Sequence, residues 1–142
     1  MKRIYATALV VLCGLVFFNC ELDTGENFHF VSMEITEVDV PDFFVLSESH
    51  DIEVNFSRPD DCTFFQGFDV FSEENGRTTV VAIGSVLTDE DCSPSEETLT
   101  GTLTLIAEDV DFYTLRFYTG EDASGNLQYL EYQVPVMEGI NQ

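Results

Sequence analysis

Residues 111–136, DFYTLRFYTGEDASGNLQYLEYQVPV, contain two stretches of alternating side chains on either side of a turn-forming segment. Alternation of apolar and polar residues has the two-residue period of a strand with one buried face. The segment between the stretches, EDASGN, is rich in the Asp, Ser, Gly and Asn residues that favour turns. The sequence therefore predicts an antiparallel hairpin here.

The register of this hairpin follows from matching side chains across the two strands. Placing Tyr118 opposite Tyr129 sets polar residues against each other on one face and apolar residues on the other. The resulting pairs are Arg116 with Glu131, Thr114 with Gln133, Phe117 with Leu130, Leu115 with Tyr132, and Tyr113 with Val134. A slip of one residue would oppose apolar and polar side chains, so we predict this register, with Phe117 on the buried face.

The same alternation continues through the rest of the chain after residue 20. It predicts strands near 27–36, 50–57, 63–72, 77–87, 98–107, 111–119 and 127–136, with a short one at 43–46. Turn-forming residues separate these strands, and no stretch among them has a convincing helical stripe. We therefore predict an all-β fold, an antiparallel β-sandwich of about seven or eight strands.

Residues 109–115, Asp-Val-Asp-Phe-Tyr-Thr-Leu, resemble the tyrosine corner of immunoglobulin-like domains. The resemblance implies that Tyr113 lies near the start of strand F and bonds to backbone nearby, with Asp109 as the first motif residue. Asp111 replaces the usual small residue and Leu115 the usual cysteine, and the chain has no Trp. We therefore expect a divergent Ig-like or fibronectin-like domain over 28–142. The alternative is another β-sandwich in which Tyr113 is simply a core residue.

The first twenty residues have the organisation of an export signal. Lys2 and Arg3 precede an uncharged, mostly apolar run at 4–18, which is shorter than the roughly 20 residues that span a bilayer. Residues 16–20, VFFNC, resemble the lipobox of bacterial lipoproteins, in a loose form similar to that of Bacteroidota. The resemblance implies a signal peptide at 1–19, lipidation of Cys20 and a tether at 20–27. The acidic start of the tether is similar to signals that send such lipoproteins to the outer membrane and the cell surface.

Two cysteines remain once Cys13 leaves with the signal peptide and Cys20 carries lipid. An even pair in an oxidising compartment predicts a disulfide between Cys62 and Cys92. On the chain-entropy model, closing this loop stabilises the fold by about 3–4 kcal/mol. A metal site would require more ligands than these cysteines and their neighbours offer.

The charge of the chain restricts its partners. All 27 acidic residues lie after residue 20 with only three basic ones, which gives that part a formal charge of −24. Such a charge repels nucleic acid and anionic lipid headgroups, so neither is an expected partner. The expected partners are the membrane, through the N-terminal lipid, and an envelope protein or a glycan.

Catalytic and metal-binding signals are weak. His29 and His50 belong to no catalytic motif, and nucleophile-elbow, P-loop and dinucleotide fingerprints are absent from the sequence. We expect neither an enzyme nor a cofactor, although a cleft with two carboxylates would support glycoside hydrolysis. Asp122, Ser124 and Asn126 present oxygen atoms at alternate positions, as calcium loops do. The alternative for these three residues is an ordinary hairpin turn.

Asn75-Gly76 predicts a two-residue type I′ turn in a second hairpin. Counting outward pairs Val70 with Val81, Phe68 with Ile83 and Phe64 with Leu87 on a face assigned to the core. The opposite face then carries Phe65, Phe71, Val80 and Val86, which is unusually apolar for a solvated face. Either another part of the chain covers this face, or it is a docking surface for a partner.

These observations predict a lipid-anchored lipoprotein of the cell envelope that acts as a non-catalytic binding or accessory module. A carbohydrate- or calcium-dependent adhesion module is the alternative, and an envelope enzyme with a carboxylate pair is the second. Aromatic side chains that line an exposed groove, or an ordered calcium ion, would favour the adhesion module.

Overall fold

A computed structural model of the protein describes residues 27–73, 75–88, 91–108 and 110–139. The predicted signal peptide, Cys20 and Asp109 lie outside these residues. The described part is built from strands, namely β1 (Phe28–Met33), β2 (Ile35–Asp39), β3 (Phe44–Val45), β4 (Ser49–Ser57), β5 (Thr63–Ser72), β6 (Arg77–Leu87), β7 (Thr98–Ile106), β8 (Phe112–Glu121) and β9 (Leu127–Met137). These bounds agree closely with the predicted strands.

The strands form two sheets, so the predicted all-β sandwich is confirmed. The small sheet has the order β2-β4-β7 and is antiparallel. In the large, six-stranded sheet, β6 pairs along one edge with β5. Along its other edge β6 pairs with β8 at 77–80 and with β1 at 82–87, and β9 and β3 follow β8.

Two details of the sandwich differ from the prediction. The predicted strand at 27–36 divides at Glu34, so that β1 joins the large sheet and β2 the small one. This division contributes to a total of nine strands among the described residues. In addition, β6 pairs with β8, and β3 with β9, in parallel. Both parallel pairs join strands that are distant in sequence, which local alternation does not predict.

The core lies between the two sheets and is closed by aliphatic and aromatic side chains from both. Phe56 of the small sheet contacts two rings of the large one, with centroid distances of 4.5 Å to Phe65 and 5.9 Å to Phe68. The fully buried side chains include Met33, Ile35, Phe44, Ile52, Val54, Phe56, Val80, Leu115, Phe117 and Val134. Burial of this apolar surface is the main force that holds the sheets together.

The tyrosine-corner hydrogen bond is present. Tyr113 is buried near the start of β8, and its hydroxyl oxygen accepts a hydrogen bond of 2.8 Å from the backbone N–H of Glu108. Its ring also packs edge-on against Phe44, with centroids 5.6 Å apart. Tyr113 thus fixes the connection between β7 and β8 while it contributes to the core, as the motif implies.

The predicted disulfide is also present. Cys62 and Cys92 are bonded, with their Cα atoms 5.5 Å apart. The bond ties the start of β5 to the segment before β7, beside an isolated bridge between Asp60 and Pro94. It therefore ties the β4–β5 connection to the residues that precede β7.

The register of the β8–β9 hairpin agrees with the prediction at every predicted pair. Tyr118 lies opposite Tyr129, and the five pairs from Arg116–Glu131 to Tyr113–Val134 follow as expected. Phe117 is fully buried, whereas Arg116 lies on the outer face.

The register of the β5–β6 hairpin differs from the prediction by one residue near the turn and by two residues beyond Gln66, where Phe64 pairs with Ser85 and not with Leu87. Val70 pairs with Val80 and Phe68 with Ala82, because the turn is longer than two residues. The N–H of Glu73 donates to the carbonyl of Arg77, and the N–H of Gly76 donates back to the carbonyl of Glu73. Gly76 has a φ of 77°, whereas Asn75 does not have a positive φ. This is the three-residue loop that ends in a left-handed glycine, not a type I′ turn.

Candidate functional site

A β-bulge in β5 decides which side chains leave the core. The register shifts between Phe65 and Gly67, so Gln66 is an extra residue on this strand. An extra residue interrupts the alternation, and side chains on the two sides of the bulge change faces relative to a regular strand. Phe65 consequently points inward against Phe56, while Phe71 points outward.

The predicted docking surface is therefore wrong as a single face. Val80 is fully buried, Phe65 packs against the core, and Val86 is half-buried opposite Thr63. Phe71 alone of the four has a largely exposed side chain. The error has two physical causes. The longer turn reverses the assignment of faces for β6, and the bulge at Gln66 reverses it for the residues of β5 that precede the bulge.

The outer face of the large sheet is nevertheless apolar, and it carries an aromatic groove. We define the aromatic groove as the surface lined by Phe28, Phe30, Phe64, Gln66, Ser85 and Leu87, with a volume of about 480 Å³. The pairing places Phe28 opposite Leu87, and both Phe30 and Phe64 opposite Ser85. Side chains opposite each other point to the same face, so the rings from β1 and β5 flank Ser85 of β6.

A second hollow continues the aromatic groove along β6. It has a volume of about 350 Å³ and shares Phe30 and Gln66 with the first. Its remaining lining residues are Gly67, Phe68, Asp69 and Ile83. The two hollows together follow β6 from Leu87 to Ile83, and their volumes fall in the range of ligand-binding clefts.

Polar groups lie between the rings of the groove. The amide nitrogen of Gln66 donates to the hydroxyl of Ser85 at 2.8 Å and to the carbonyl of Phe64 at 3.3 Å. None of the hydrogen bonds of Gln66 within the described residues uses its amide oxygen, which is free to accept one from a ligand. Asp69 adds a carboxylate at the far end. The groove thus combines apolar ring faces with a few fixed hydrogen-bonding groups.

Arg58 supports one wall of the groove. Its guanidinium carbon lies 5.6 Å from the centre of the Phe64 ring. The same guanidinium forms an ion pair of 3.0 Å with Glu97 and donates to the carbonyls of Asp61 and Thr63. These contacts fix Arg58 against the connection between β4 and β5, so it holds Phe64 in place.

The outer face of the small sheet has the opposite character. Threonines of β7 face polar residues of β4 in the pairs Thr98–Ser57, Thr100–Asn55, Thr102–Glu53 and Thr104–Asp51. The hydroxyls of Thr100 and Thr104 donate to Asn55 and Asp51 at 2.6 and 2.7 Å. This is the polar face expected of a solvated antiparallel sheet.

A third hollow, of about 310 Å³, lies between the turn at Asn75 and residues Val110, Asp111 and Phe112. Its lining comes from one turn and one strand start and contains one aromatic residue, Phe112. The aromatic groove offers more rings and an extended shape, and we treat it as the candidate site.

The predicted calcium loop forms a hairpin turn. One carboxylate oxygen of Asp122 accepts from the backbone N–H groups of Ser124 and Asn126, at 2.8 and 2.9 Å. The side-chain amides of Asn126 and Gln128 donate to the other oxygen. Chiefly the bond from the Asn126 side chain lowers the pKa of Asp122. The geometry favours the turn interpretation, because both oxygens already accept hydrogen bonds.

The two histidines differ in their surroundings. The Nε2 atom of His50 lies 2.8 Å from the backbone nitrogen of Val45, which donates to it, and the ring packs against Phe44. His50 therefore holds the start of β4 to β3, and it lies in a strand, as the predicted strand at 50–57 implies. His29 is exposed, and so are Phe28 and Phe30 on either side of it.

One group of three potential metal ligands occurs among the described residues, Asp60, Cys62 and Cys92. The two sulfur atoms are joined in the disulfide. Asp60 accepts from the backbone N–H of Cys62 and from the hydroxyl of Thr63. These ligand atoms are thus already bonded in ways that stabilise the β4–β5 connection.

Within the described ranges, no helix has the length and apolar character needed to cross a membrane. Comparison with protein-family models, with curated proteins and with solved structures finds no match. The chemistry of the groove therefore provides the main evidence on function.

Sequence reasoning missed the groove because its residues come from three strands. Alternation alone assigns Phe64 to the core, and it does not show that Phe28 and Phe30 lie beside Phe64 on the outer face. A glycine inside a strand pattern is a recognised signal of a bulge, and Gly67 after Gln66 is such a glycine. This signal could have reversed the assignment of Phe64 and Phe65.

Proposed function

We propose that this protein is an exported, lipid-anchored binding module that holds a carbohydrate in the aromatic groove without cleaving it. The observation that carries the proposal is the exposed cluster of Phe28, Phe30 and Phe64 around Ser85 and Gln66. Soluble domains rarely expose such a cluster unless it takes part in binding.

The lining of the groove matches the two-sided chemistry of a sugar. A pyranose ring presents C–H groups on its faces, which pack on aromatic rings, and hydroxyl groups around its rim. The hydroxyls can donate to the amide oxygen of Gln66 and the carboxylate of Asp69 and exchange hydrogen bonds with Ser85. A few placed polar groups on an apolar surface give orientation and specificity in such sites.

The absence of cleavage in this proposal rests on the carboxylates of the groove. Glycosidases use two carboxyl groups, about 5–9.5 Å apart, across the scissile bond. Asp69 is the single carboxylate among the described residues that line the two hollows. A ligand in the groove would therefore lack the second group.

The proposed anchor would hold the groove close to the membrane. Lipid on Cys20 would be joined to Phe28, the first residue of β1, through the short tether at 20–27. One acyl chain gives only marginal membrane binding, so two or more chains are required on Cys20. Such an anchor would hold the module at the envelope surface, where extracellular glycans are found.

The anchor is tested by Cys20→Ser. We expect this variant to lose fatty-acid labelling and to leave the membrane fraction. A buried Met33→Ala variant, which leaves Cys20 in place, serves as the control for general misfolding. Unchanged labelling of Cys20→Ser would contradict the lipid anchor.

The groove is tested by retention on a panel of insoluble polysaccharides. Phe30→Ala and Phe64→Ala should each lower retention by about tenfold or more, since each removes a ring face from the site. Phe71→Ala is a matched control, because Phe71 is 60% exposed against 64% for Phe30 and lies outside both hollows. Equal retention of the three variants, or no retention of the unmutated protein on any polysaccharide, would contradict the proposal.

A further inference from the structure

We infer that the groove takes an uncharged oligosaccharide of several sugar units, and not a single sugar or an acidic glycan. This inference rests on the proposed function and specifies its ligand. Three features of the structure carry it: the length of the groove, the charges around it, and the polar groups on its floor.

The length of the groove exceeds that of one sugar ring. The two hollows extend along β6 from Leu87 to Ile83, which is about 13 Å at the usual rise per strand residue. Phe30 and Gln66 line both hollows, so the two form one continuous path. A chain of linked sugars can follow this path, with Phe28 and Phe64 near one end and Ile83 and Asp69 at the other.

The charges around the groove disfavour an acidic ligand. Asp69 is the charged residue of the lining, and the domain carries a large net negative charge. Of the three arginines after residue 20, Arg58 is paired with Glu97 and Arg116 lies beside Glu131. The third, Arg77, lies at the start of β6, far along the strand from Leu87. A uronic acid or sulfate group would thus meet repulsion without an available cation.

The polar floor disfavours a lipid surface as the occupant. Insertion of Phe28, Phe30 and Phe64 into a bilayer would bring Gln66 and Asp69 with them. Burial in hydrocarbon of a carboxylate, or of an amide oxygen without a hydrogen bond, is costly, whereas the hydroxyl groups of a sugar could donate to both. We therefore expect the anchored domain to leave the groove open to glycans.

The experiment measures the affinity of the purified full-length lipoprotein by titration calorimetry. The probes are the mono-, di-, tri- and tetrasaccharides of whichever neutral polysaccharide retains the protein, together with a polyuronate. Affinity should rise by about tenfold or more from the monosaccharide to the trisaccharide and then level off, as the groove fills. The polyuronate should bind at least about tenfold more weakly, and Asp69→Asn should narrow this difference.

Salt and vesicles provide the remaining tests. Binding of the neutral oligosaccharide should be the same at low and high salt, because no ion pair contributes. A loss of binding at high salt would instead indicate a charged ligand, such as a basic polypeptide, and would overturn the inference. Phe30-dependent binding of the unlipidated Cys20→Ser variant to phosphatidylcholine vesicles would assign the groove to lipid and overturn it as well.

The two proposals fail in different ways. A monosaccharide that binds as tightly as the trisaccharide, or a polyuronate that binds as tightly as the neutral chain, overturns this inference and leaves the carbohydrate-binding function intact. Failure of every polysaccharide to retain the protein overturns both.

Discussion

The β5–β6 and β8–β9 hairpins close with the same loop but in different surroundings. In both, the backbone N–H of the residue before the loop donates to the carbonyl four residues later, at 2.8 Å from Glu73 and 2.9 Å from Asp122. In both, a left-handed glycine ends the loop, with φ values of 77° at Gly76 and 79° at Gly125. Gly76 is buried, whereas Gly125 is exposed. The same turn geometry therefore occurs at a buried and at an exposed position, so it does not by itself determine how much the turn contributes to the stability of the fold.

The faces of the two hairpins differ as well. The β8–β9 hairpin presents polar side chains outward and buries apolar ones, as at Arg116 and Phe117. The β5–β6 hairpin is apolar on both faces, with Phe71 and Ile83 outward and Val80 inward. One hairpin mainly builds the core, and the other also carries part of the aromatic groove.

The largest difference is expected between the central phenylalanines of the two hairpins. Phe117→Ala should lower the free energy of unfolding by about 3–5 kcal/mol, because it opens a cavity at a fully buried position. Phe71→Ala should change it by no more than about 0.5 kcal/mol, since that ring is largely exposed. Urea unfolding of the two variants measures both values, and similar losses would contradict the assignment of faces.

The two turn glycines provide the next comparison. Gly125→Ala should cost about 1–2 kcal/mol, the usual penalty of the left-handed conformation, because the added Cβ lies 4.0 Å from its nearest neighbour. At Gly76 the Cβ would lie 2.6 Å from the carbonyl oxygen of Phe112. The carbonyl oxygen of Phe112 is a backbone atom, and the carbonyl of Gly76 accepts a hydrogen bond from the N–H of Thr114. Neither the backbone at Gly76 nor the backbone of β8 can therefore shift freely to relieve this contact.

Gly76→Ala should therefore cost clearly more than Gly125→Ala, about 3 kcal/mol or more in the free energy of unfolding. Chemical denaturation of the two variants under the same conditions measures the difference. Equal costs would show that the β5–β6 turn does not pack on β8 as the structure has it.

The same contrast explains what the sequence could predict. The β8–β9 register was predictable because its two faces differ in chemistry, so one alignment matches every pair. The β5–β6 hairpin lacks this contrast, and the prediction relied on Asn75-Gly76. That dipeptide fits both a two-residue type I′ turn and a three-residue loop with a left-handed glycine, so it leaves the register open by one residue.

The candidate site was harder to predict than the fold. Strand positions and the Cys62–Cys92 bond follow from local patterns and from cysteine number. The groove requires knowledge that β1 pairs with β6 and that Gln66 is a bulge residue, and both depend on contacts between distant segments. Apolar residues on both faces of β5 and β6 were visible, but their assignment to inside or outside was not.

Acid should affect the two turns differently. Hydrogen bonds to the Asp122 carboxylate lower its pKa in the folded protein, so they stabilise the fold at pH values above the ordinary aspartate pKa of about 3.9. This contribution is lost as the pH falls through and below that value, when the carboxylate becomes protonated. In the β5–β6 turn, the uncharged side chain of Asn75 accepts from Arg77 instead.

Asp122→Asn should therefore lower the urea midpoint at neutral pH by less than the glycine substitutions do. The difference from the unmutated protein should shrink as the solution becomes strongly acidic, because the amide resembles the protonated carboxyl group. Asn75→Ala serves as the matched variant in the other turn, and its effect should not follow the protonation of Asp122. A difference for Asp122→Asn that is constant with pH would contradict this role.

The smallest effect is expected for the ion pair on the outer face of β8–β9. The Nε of Arg116 lies 3.4 Å from a carboxylate oxygen of Glu131 but makes no hydrogen bond, and the side chain is 28% exposed. Its guanidinium also lies 4.0 Å from the centre of the Tyr129 ring.

A double-mutant cycle with Arg116→Gln and Glu131→Gln should give a coupling below about 1 kcal/mol that falls further at high salt. Stacking of Arg116 on Tyr129 should persist in the Glu131→Gln variant. Adding Arg116→Gln to that variant should therefore still lower the free energy of unfolding by most of the small amount that it costs in the unmutated protein. A coupling of several kcal/mol would mean that charge matching helps to set the register. A small one would leave that role to the buried pairs around Phe117, because only they lose contact with the core when the strands slip.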